Sequence, residues 1–313
     1  PIIEPKWGLS MKESATITNA KDMIYSFYEK VEQNYNEKAF CLGTSTGFYD
    51  LDAITGGLHP SELTVIAGRH SMGKTALAIN LTNNLALENK PVLYISYEMG
   101  QYFLASRLLS SYAEVDSTRM HHGCMHAKDW EKLAVAMGKL CDFVDKELLN
   151  VIPGCNLNWK ELFDEIRFFA NNHSDGIVII DYFQLIKLMG ESDRIVELSI
   201  LAGAFKRLAI ELDIPIILLS QVVKKTRDLC DKRPVLEDLA ECDALAQHAD
   251  NVIFIYRNDY YQKEDDDFDP KLNIKGEAEI IIAKQKNGPI GTIKLLFQPN
   301  ITKFKNPTKS DDL

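Results

Sequence analysis

The octapeptide GRHSMGKT (68–75) combines two glycines, a lysine and a hydroxyl in the order Gly-x-x-x-x-Gly-Lys-Thr. It follows the strand-like run LTVIA (63–67) and opens a helical pattern over 74–89, the setting in which this spacing cradles phosphate. Gly68 and Gly73 let the backbone curl so that successive N–H groups converge on phosphate oxygens, and a helix N-terminus adds its positive dipole end. Lys74 is placed to reach the β- and γ-phosphates of a nucleotide, and the Thr75 hydroxyl to ligate Mg²⁺. Gly68, Ser71, Met72, Gly73, Lys74, Thr75 and Ala76 together form the expected ATP cradle.

Three further polar residues end apolar runs. Asp181 closes IVIID (177–181), and a carboxylate there needs a partner such as the hydrated Mg²⁺ beside Thr75. Glu98 lies just past VLYIS (92–96), where it could polarise the water that attacks a γ-phosphate. Gln221 ends IPIILLSQ (214–221) with an amide suited to sensing that phosphate. In an open α/β sheet, ligands bind at the carboxyl ends of the strands. Four such ends offering Lys74 with Thr75, Glu98, Asp181 and Gln221 imply hydrolysis of a nucleoside triphosphate.

A different cation pair sits in AEIIIAKQKNGPIGTIKLLF (278–297), which reads as a hairpin around its Asn-Gly turn signal. Lys284 and Lys286 are two residues apart on a strand, so both ammonium groups point the same way. Two aligned cations on a stiff hairpin suggest an anionic target.

The elements that must position these groups follow from the alternation of apolar runs and helical patterns. Runs at 63–67, 92–96, 177–181, 214–221 and 251–256 alternate with helices over 74–89, about 101–112 and about 193–212. Short Val/Ile/Leu runs between helices indicate a mostly parallel sheet covered on both faces, hence an α/β fold ending in a β-hairpin. Residues 127–172 read as mostly helical with a strand at LLNVIP. Residues 1–16 read as a tail, and TNAKDMIYSFYEKVEQNY (18–35) as an amphipathic helix. That helix either folds back on its own domain or docks on a neighbouring subunit. The organisation expected is a tail and helix over 1–40 and one large domain over 41–313. KEDDDFDP (263–270) reads as a solvated acidic loop.

Composition sets limits on partners. The chain has 313 residues, 46% hydrophobic and 26% charged, with a net charge of −10. Global charge alone argues against nucleic acid, so any such contact must come from a local basic patch. No apolar stretch approaches a membrane span, and PIIEPKWGLSMKES has no signal-peptide pattern. Six cysteines without a CxxC pair read as reduced cytosolic thiols, giving a cytoplasmic expectation. The chain opens on Pro1, as a piece or a processed form of a longer protein would.

The segments GRHSMGKTALAINL, YEM, IIDYFQL, LSQ, DKRPVLEDLAE, HADNVIFIYR and KQKNGPIGT occur in the order found in DnaB-type replicative helicases. From about 18 to 305 the chain resembles the C-terminal RecA-like motor domain of that family. The resemblance implies a twisted, helix-flanked sheet, a homohexameric ring, ATP and Mg²⁺ between neighbours, and translocation on single-stranded DNA with unwinding of duplex. It implies that 18–35 is a linker helix docking on the adjacent subunit; members of that family also carry a helical N-terminal domain, which this sequence does not contain. Primase and a helicase loader are the further partners it implies.

Lys74, Thr75, Glu98, Asp181 and Gln221 fall on the family's functional positions, and Arg107 on an arginine that contacts the nucleotide base. The hairpin resembles one that enters the neighbour's ATP site, which makes Lys284 and Lys286 catalytic in trans. Such a finger is worth roughly 10³–10⁵ in rate. Lys286 stands where the family has arginine, from which slower activity is expected, since lysine lacks the bidentate fork. For DNA, VVKKTRDLCDKR (222–233) holds five basic and two acidic residues, a local net of +3, and offers Lys224, Lys225 and Arg227. A second loop offers Glu241, but Ala240, Glu241, Cys242 and Asp243 replace the family's usual Arg-Glu-Ser-Gly. Asp243 beside a phosphate should weaken that grip. These departures motivate an alternative: an ATP-binding replication-control or scaffold protein with weakened unwinding. The DKRP and NGPIGT segments disfavour a recombinase.

Overall fold

A computed structural model of the chain describes residues 19–37, 41–154, 157–188, 193–222, 231–262 and 276–307. It divides into two units, Pro1–Leu42 and Gly43–Leu313. The first contains helix α1 (Ala20–Glu37), whose row Met23, Ile24, Phe27, Tyr28 and Val31 is exposed.

The second unit opens with α2 (Tyr49–Thr55), a short helix the sequence pattern did not announce. Then come β1 (Leu63–Gly68), α3 (Lys74–Leu87), β2 (Val92–Ser96), α4 (Gln101–Ala113), α5 (Ser117–His122) and α6 (Ala127–Asp145). They are followed by β3 (Leu149–Pro153), α7 (Trp159–Asn172), β4 (Ile177–Asp181), α8 (Arg194–Leu212) and β5 (Ile216–Gln221). The unit finishes with α9 (Asp243–His248), β6 (Asn251–Tyr256), α10 (Asn258–Gln262), β7 (Glu277–Gln285), β8 (Gly291–Gln298) and β9 (Lys303–Lys305).

One nine-stranded sheet runs β3-β2-β4-β5-β1-β6-β7-β8-β9. The first six strands in that order are parallel; β7, β8 and β9 are each antiparallel to their neighbours. The expected parallel sheet and terminal hairpin are both present. β5 begins one residue after Pro215, which has no N–H to give a ladder. The acidic stretch 263–270 lies outside the described residues.

Strand alternation explains the two cores. Ile177 and Ile179 of β4, with Ile217 and Leu219 of β5, face α3, α4 and α6. Val178, Ile180, Ile216 and Leu218 face α7, α8 and α9. Truncating any of these to alanine should cost about 2–5 kcal/mol, which is what holds the strand ends in register. α7 starts at a reciprocal cap: Asn158 accepts from the Lys160 and Glu161 N–H groups, and Glu161 returns to the Asn158 N–H at 2.8 Å.

Candidate nucleotide-hydrolysis site

The loop between β1 and α3 is shaped by its two odd residues. Ser71 has φ +62 and Gly73 φ +104, so the chain curls back on itself. A Cβ on Gly73 would also come within 3.0 Å of the Phe304 ring, so both backbone angle and space demand glycine there. Met72 is buried and anchors the loop, and Ala76 is buried behind it. No side chain caps the start of α3, which leaves its first N–H groups for another acceptor. Lys74 crosses the loop, donating to the carbonyls of Gly68 at 3.0 Å and Arg69 at 3.1 Å. Burial lowers its pKa, against the opposing pull of Asp181 and Glu98. Those two carboxylates therefore sit close enough to feel the ammonium.

Asp181 is 1% exposed, at the end of β4 and level with Ser96 of β2. Its Oδ2 accepts the Tyr94 hydroxyl at 2.8 Å, and Thr75 lies against the same carboxylate. Its Oδ1 has no hydrogen-bond partner. A buried carboxylate oxygen without a partner costs about 1–3 kcal/mol or more. Burial accordingly raises the Asp181 pKa, while Tyr94, Thr75 and Lys74 pull it back and Glu98 adds to the rise. A divalent cation beside Thr75 would satisfy the orphan oxygen, so the donor set fits Mg²⁺. Among the described residues no group of three or more His, Cys, Asp or Glu could hold a metal alone. Remaining ligands would therefore come from bound phosphate and water, as is usual for Mg²⁺.

Glu98 is exposed, but its backbone is tied in place: the Tyr97 and Glu98 N–H groups point at the Asp181 carbonyl, at 2.6 and 3.4 Å. Arg107, half-buried on α4, is near enough to Tyr94 to oppose the rise of its pKa. Gln221 stands beside Gly68 in the β1–β5 ladder, and its side-chain amide pairs with the His70 ring of the loop. Lys74, Thr75, Glu98, Asp181, Arg107 and Gln221 thus share one end of the sheet.

Two members of this neighbourhood were not singled out from the sequence. Tyr94 supplies the hydroxyl that holds Asp181; its signal was a phenol inside an otherwise apolar strand, since a buried tyrosine needs a hydrogen-bond partner. Arg257, just past β6, reaches the Ser71 carbonyl at 3.4 Å and pairs with Asp259 at 3.0 Å. Its guanidinium lies 4.4 Å from the centroid of the Phe297 ring. It braces the outer side of the loop.

The hairpin lysines are at the other end of the sheet. Thr64 pairs with Asn251, and Asn251 with Gln285, so the turn after β7 lies at the start of β1. The loop lies at the finish of β1, a strand of six residues and roughly 17–20 Å at ~3.3 Å per residue. Both lysines do point the same way, toward 246–250. Lys284 Nζ donates to the carbonyls of Ala246 (2.6 Å), Ala249 (2.7 Å) and Gln247 (3.2 Å), closing the C-terminal end of α9. Burial lowers its pKa, and Lys286 adds to the fall. Lys286 pairs with Asp250 Oδ1 at 3.0 Å. Asp250 also takes Lys206 at 2.6 Å and the Leu63 N–H at 2.8 Å, contacts that hold its carboxyl below the usual range although burial opposes them.

Of the expected DNA contacts, Lys224, Lys225 and Arg227 lie outside the described residues. Glu241 falls in the 3₁₀ turn Leu236–Cys242, with its side chain outside the described part. Asp243 is exposed at the start of α9. Arg233, counted among the basic residues of 222–233, is held within the chain. Its guanidinium makes two 2.6 Å bonds to Glu279 and lies 5.1 Å from the Tyr256 ring centroid, so its charge is neutralised within the chain. No helix among the described residues is long and apolar enough to cross a membrane.

A family model described as the DnaB-like helicase C terminal domain matches residues 43–306. The replicative DNA helicase DnaC of Bacillus subtilis (strain 168) is 36% identical over 301 residues, covering 94% of this chain and 63% of that protein. The replicative DNA helicase DnaB of Pasteurella multocida (strain Pm70) is 39% identical over 275 residues, 87% of this chain and 57% of its own length. Among solved structures, one described as an ATPase domain superposes with a TM-score of 0.83 at 30% identity, covering 93% of this chain and 99% of that one. A DnaB-like replicative helicase, described together with its interactions with primase, gives 0.80 at 30% identity over 95% of this chain and 68% of its own. The chain spans less than two thirds of the curated relatives it matches, at 63% and 57% of their lengths.

Proposed function

Because the chain belongs to the DnaB-like helicase C-terminal domain family, we propose that it is the ATP-hydrolysing motor of a ring-forming replicative DNA helicase. The observation that carries this is the orphan Asp181 Oδ1 beside Thr75 and Lys74, at the uncapped start of α3. In this reading Gly68, Ser71, Met72, Gly73 and Ala76 shape the cradle, and Lys74 moves from its loop carbonyls to phosphate. Thr75 and Asp181 hold Mg²⁺, which when bound neutralises phosphate charge and screens the leaving group. Glu98 orients the attacking water and accepts its proton. Gln221 contacts the γ-phosphate and Arg107 lies against the base. Lys284 and Lys286 lie about a strand's length from the cradle of their own chain, and with Lys284 taken up by the end of α9, Lys286 is the finger that would reach the cradle of the next copy.

The exposed apolar row of α1 is the surface by which 18–35 would dock on a neighbour in a hexamer, with 41–313 as the motor domain. Single-stranded DNA would pass against Lys224, Lys225, Arg227 and Glu241, and primase and a loader are the partners proposed for the assembled ring. The test is ATP turnover with and without single-stranded DNA. We expect stimulation by DNA and abolition by Lys74→Ala; turnover indifferent to that change would end the reading.

The exposed Asp243, with Lys286 paired to Asp250, favours a second reading: an ATP-binding scaffold with weak unwinding. Strand displacement separates the two, since a scaffold binds ATP without opening a duplex.

A further inference from the structure

We propose that Gln184 is a positioning residue that sets Gln221 against the phosphate loop by standing in for a missing strand partner. The inference rests on the ATPase reading above. The β4–β5 ladder pairs Val178 with Ile216, Ile179 with Ile217 and Ile180 with Leu218, and goes no further. β4 then turns away at Asp181, while β5 continues for three more residues to Gln221. Its exposed edge is closed by one side chain. Gln184 Nε2 donates to the Gln221 carbonyl at 3.0 Å, and Gln184 Oε1 accepts the Gln221 N–H at 3.2 Å. This is the two-bond exchange that a facing residue makes in an antiparallel pair, made here by the single primary amide of a side chain. A second bond from Nε2 reaches the Ser220 hydroxyl at 2.9 Å.

The opposite edge of β5 is closed by the loop itself: the Val222 N–H donates to the Gly68 carbonyl at 3.1 Å, the oxygen that also takes Lys74. Gln221 is therefore clamped between Gln184 and the first residue of the phosphate loop, with its own amide on His70. Gln184 is in turn fixed from behind. Arg194 donates to the carbonyls of Gln184 at 2.6 Å and Ile186 at 2.9 Å, and pairs with the buried Glu197 at 2.8 Å. Asparagine is too short to bridge this gap, and glutamate keeps the acceptor but loses both donated bonds.

The test is steady-state ATP turnover of the full chain with single-stranded DNA, for Gln184→Ala and Gln184→Met, alone and combined with Gln221→Ala. A displaced reacting group costs roughly 10- to 100-fold, so each Gln184 variant should lose that much kcat while KM for ATP stays within about twofold. If Gln184 acts through Gln221, adding Gln184→Ala to Gln221→Ala should change kcat by less than about twofold. A kcat near wild type, or losses that multiply in the double variant, would overturn the proposal. Should Gln184→Ala not fold, Gln184→Glu serves, with the same masking expected and the same overturning result. Lys74→Ala run in parallel separates the two levels. Without Lys74-dependent turnover in the wild type the ATPase reading fails; with it, unaffected Gln184 variants sink the clamp alone.

Discussion

Lys74 and Lys284 both donate their ammonium groups to main-chain carbonyls, toward opposite ends of the sheet, yet they stand in opposite situations. Lys74 holds two carbonyls of its own loop, next to a buried carboxylate oxygen with no partner and a helix start with no cap. Lys284 meets three carbonyls at the closing end of α9, one for each of its three N–H bonds. A lysine at a helix C-terminus satisfies orphan acceptors and the negative dipole end together. The first cation belongs to an incomplete site and the second to a completed joint. Lys286 lies between these cases, paired with Asp250 but still 41% exposed. Of the hairpin pair, Lys286 is the one free to reach a neighbour.

The largest effect that could break this contrast is at Lys286. Lys286→Ala should lower DNA-stimulated turnover by roughly 10³-fold, the low end of what a trans finger contributes. Melting should hardly change, because a half-exposed ion pair is worth about 1 kcal/mol or less. Mixing Lys74→Ala protein with Lys286→Ala protein should restore part of the turnover, because some interfaces then combine an intact cradle with an intact finger. A mixture as inactive as its parts would place both lysines in one chain's work.

Next in size, Asp181→Asn should remove Mg²⁺-dependent turnover by roughly 100-fold or more while the nucleotide-free protein melts about 1–3 °C higher. Burial raises the Asp181 pKa, so its contribution to stability is full below its unfolded value near ~3.9 and is lost as pH rises through the higher folded value. At neutral pH the charged carboxylate is a cost that asparagine avoids. The gain in melting temperature should therefore vanish in acid. A lower melting point at pH 7 would mean that Tyr94 and Thr75 already satisfy the charge.

The smallest change in turnover, with the clearest change in stability, belongs to Lys284→Met. Uncapping three carbonyls at the end of α9 should cost about 1–3 kcal/mol. Thermal unfolding checks that figure, and turnover should fall far less than for Lys286→Ala. A Lys284→Met protein as stable as wild type but inactive would make Lys284 a prong and not a strut.

How much of this was legible in the chain differs residue by residue. The curled loop between β1 and α3 was readable because its parts are contiguous, and its local curvature depends on residues close together in the chain. Asp181 and Gln221 were readable because polar residues ending apolar runs mark strand ends. Tyr94 holds Asp181 from 87 residues away, and Gln184 meets Gln221 across 37, contacts set by which strands lie side by side. Arg233 counted as free positive charge in the sequence, but folding brought Glu279 against it from 46 residues away.

By itself, then, the order of residues determined the alternating elements, the curled loop ahead of α3 and which polar side chains end the strands, because these depend on spacing within a few turns of chain. Only the tertiary structure decided which cations remain available. Availability is a matter of partners, and Lys284 found its carbonyls 35 to 38 residues earlier in the chain, where strand pairing had carried α9 beneath the hairpin.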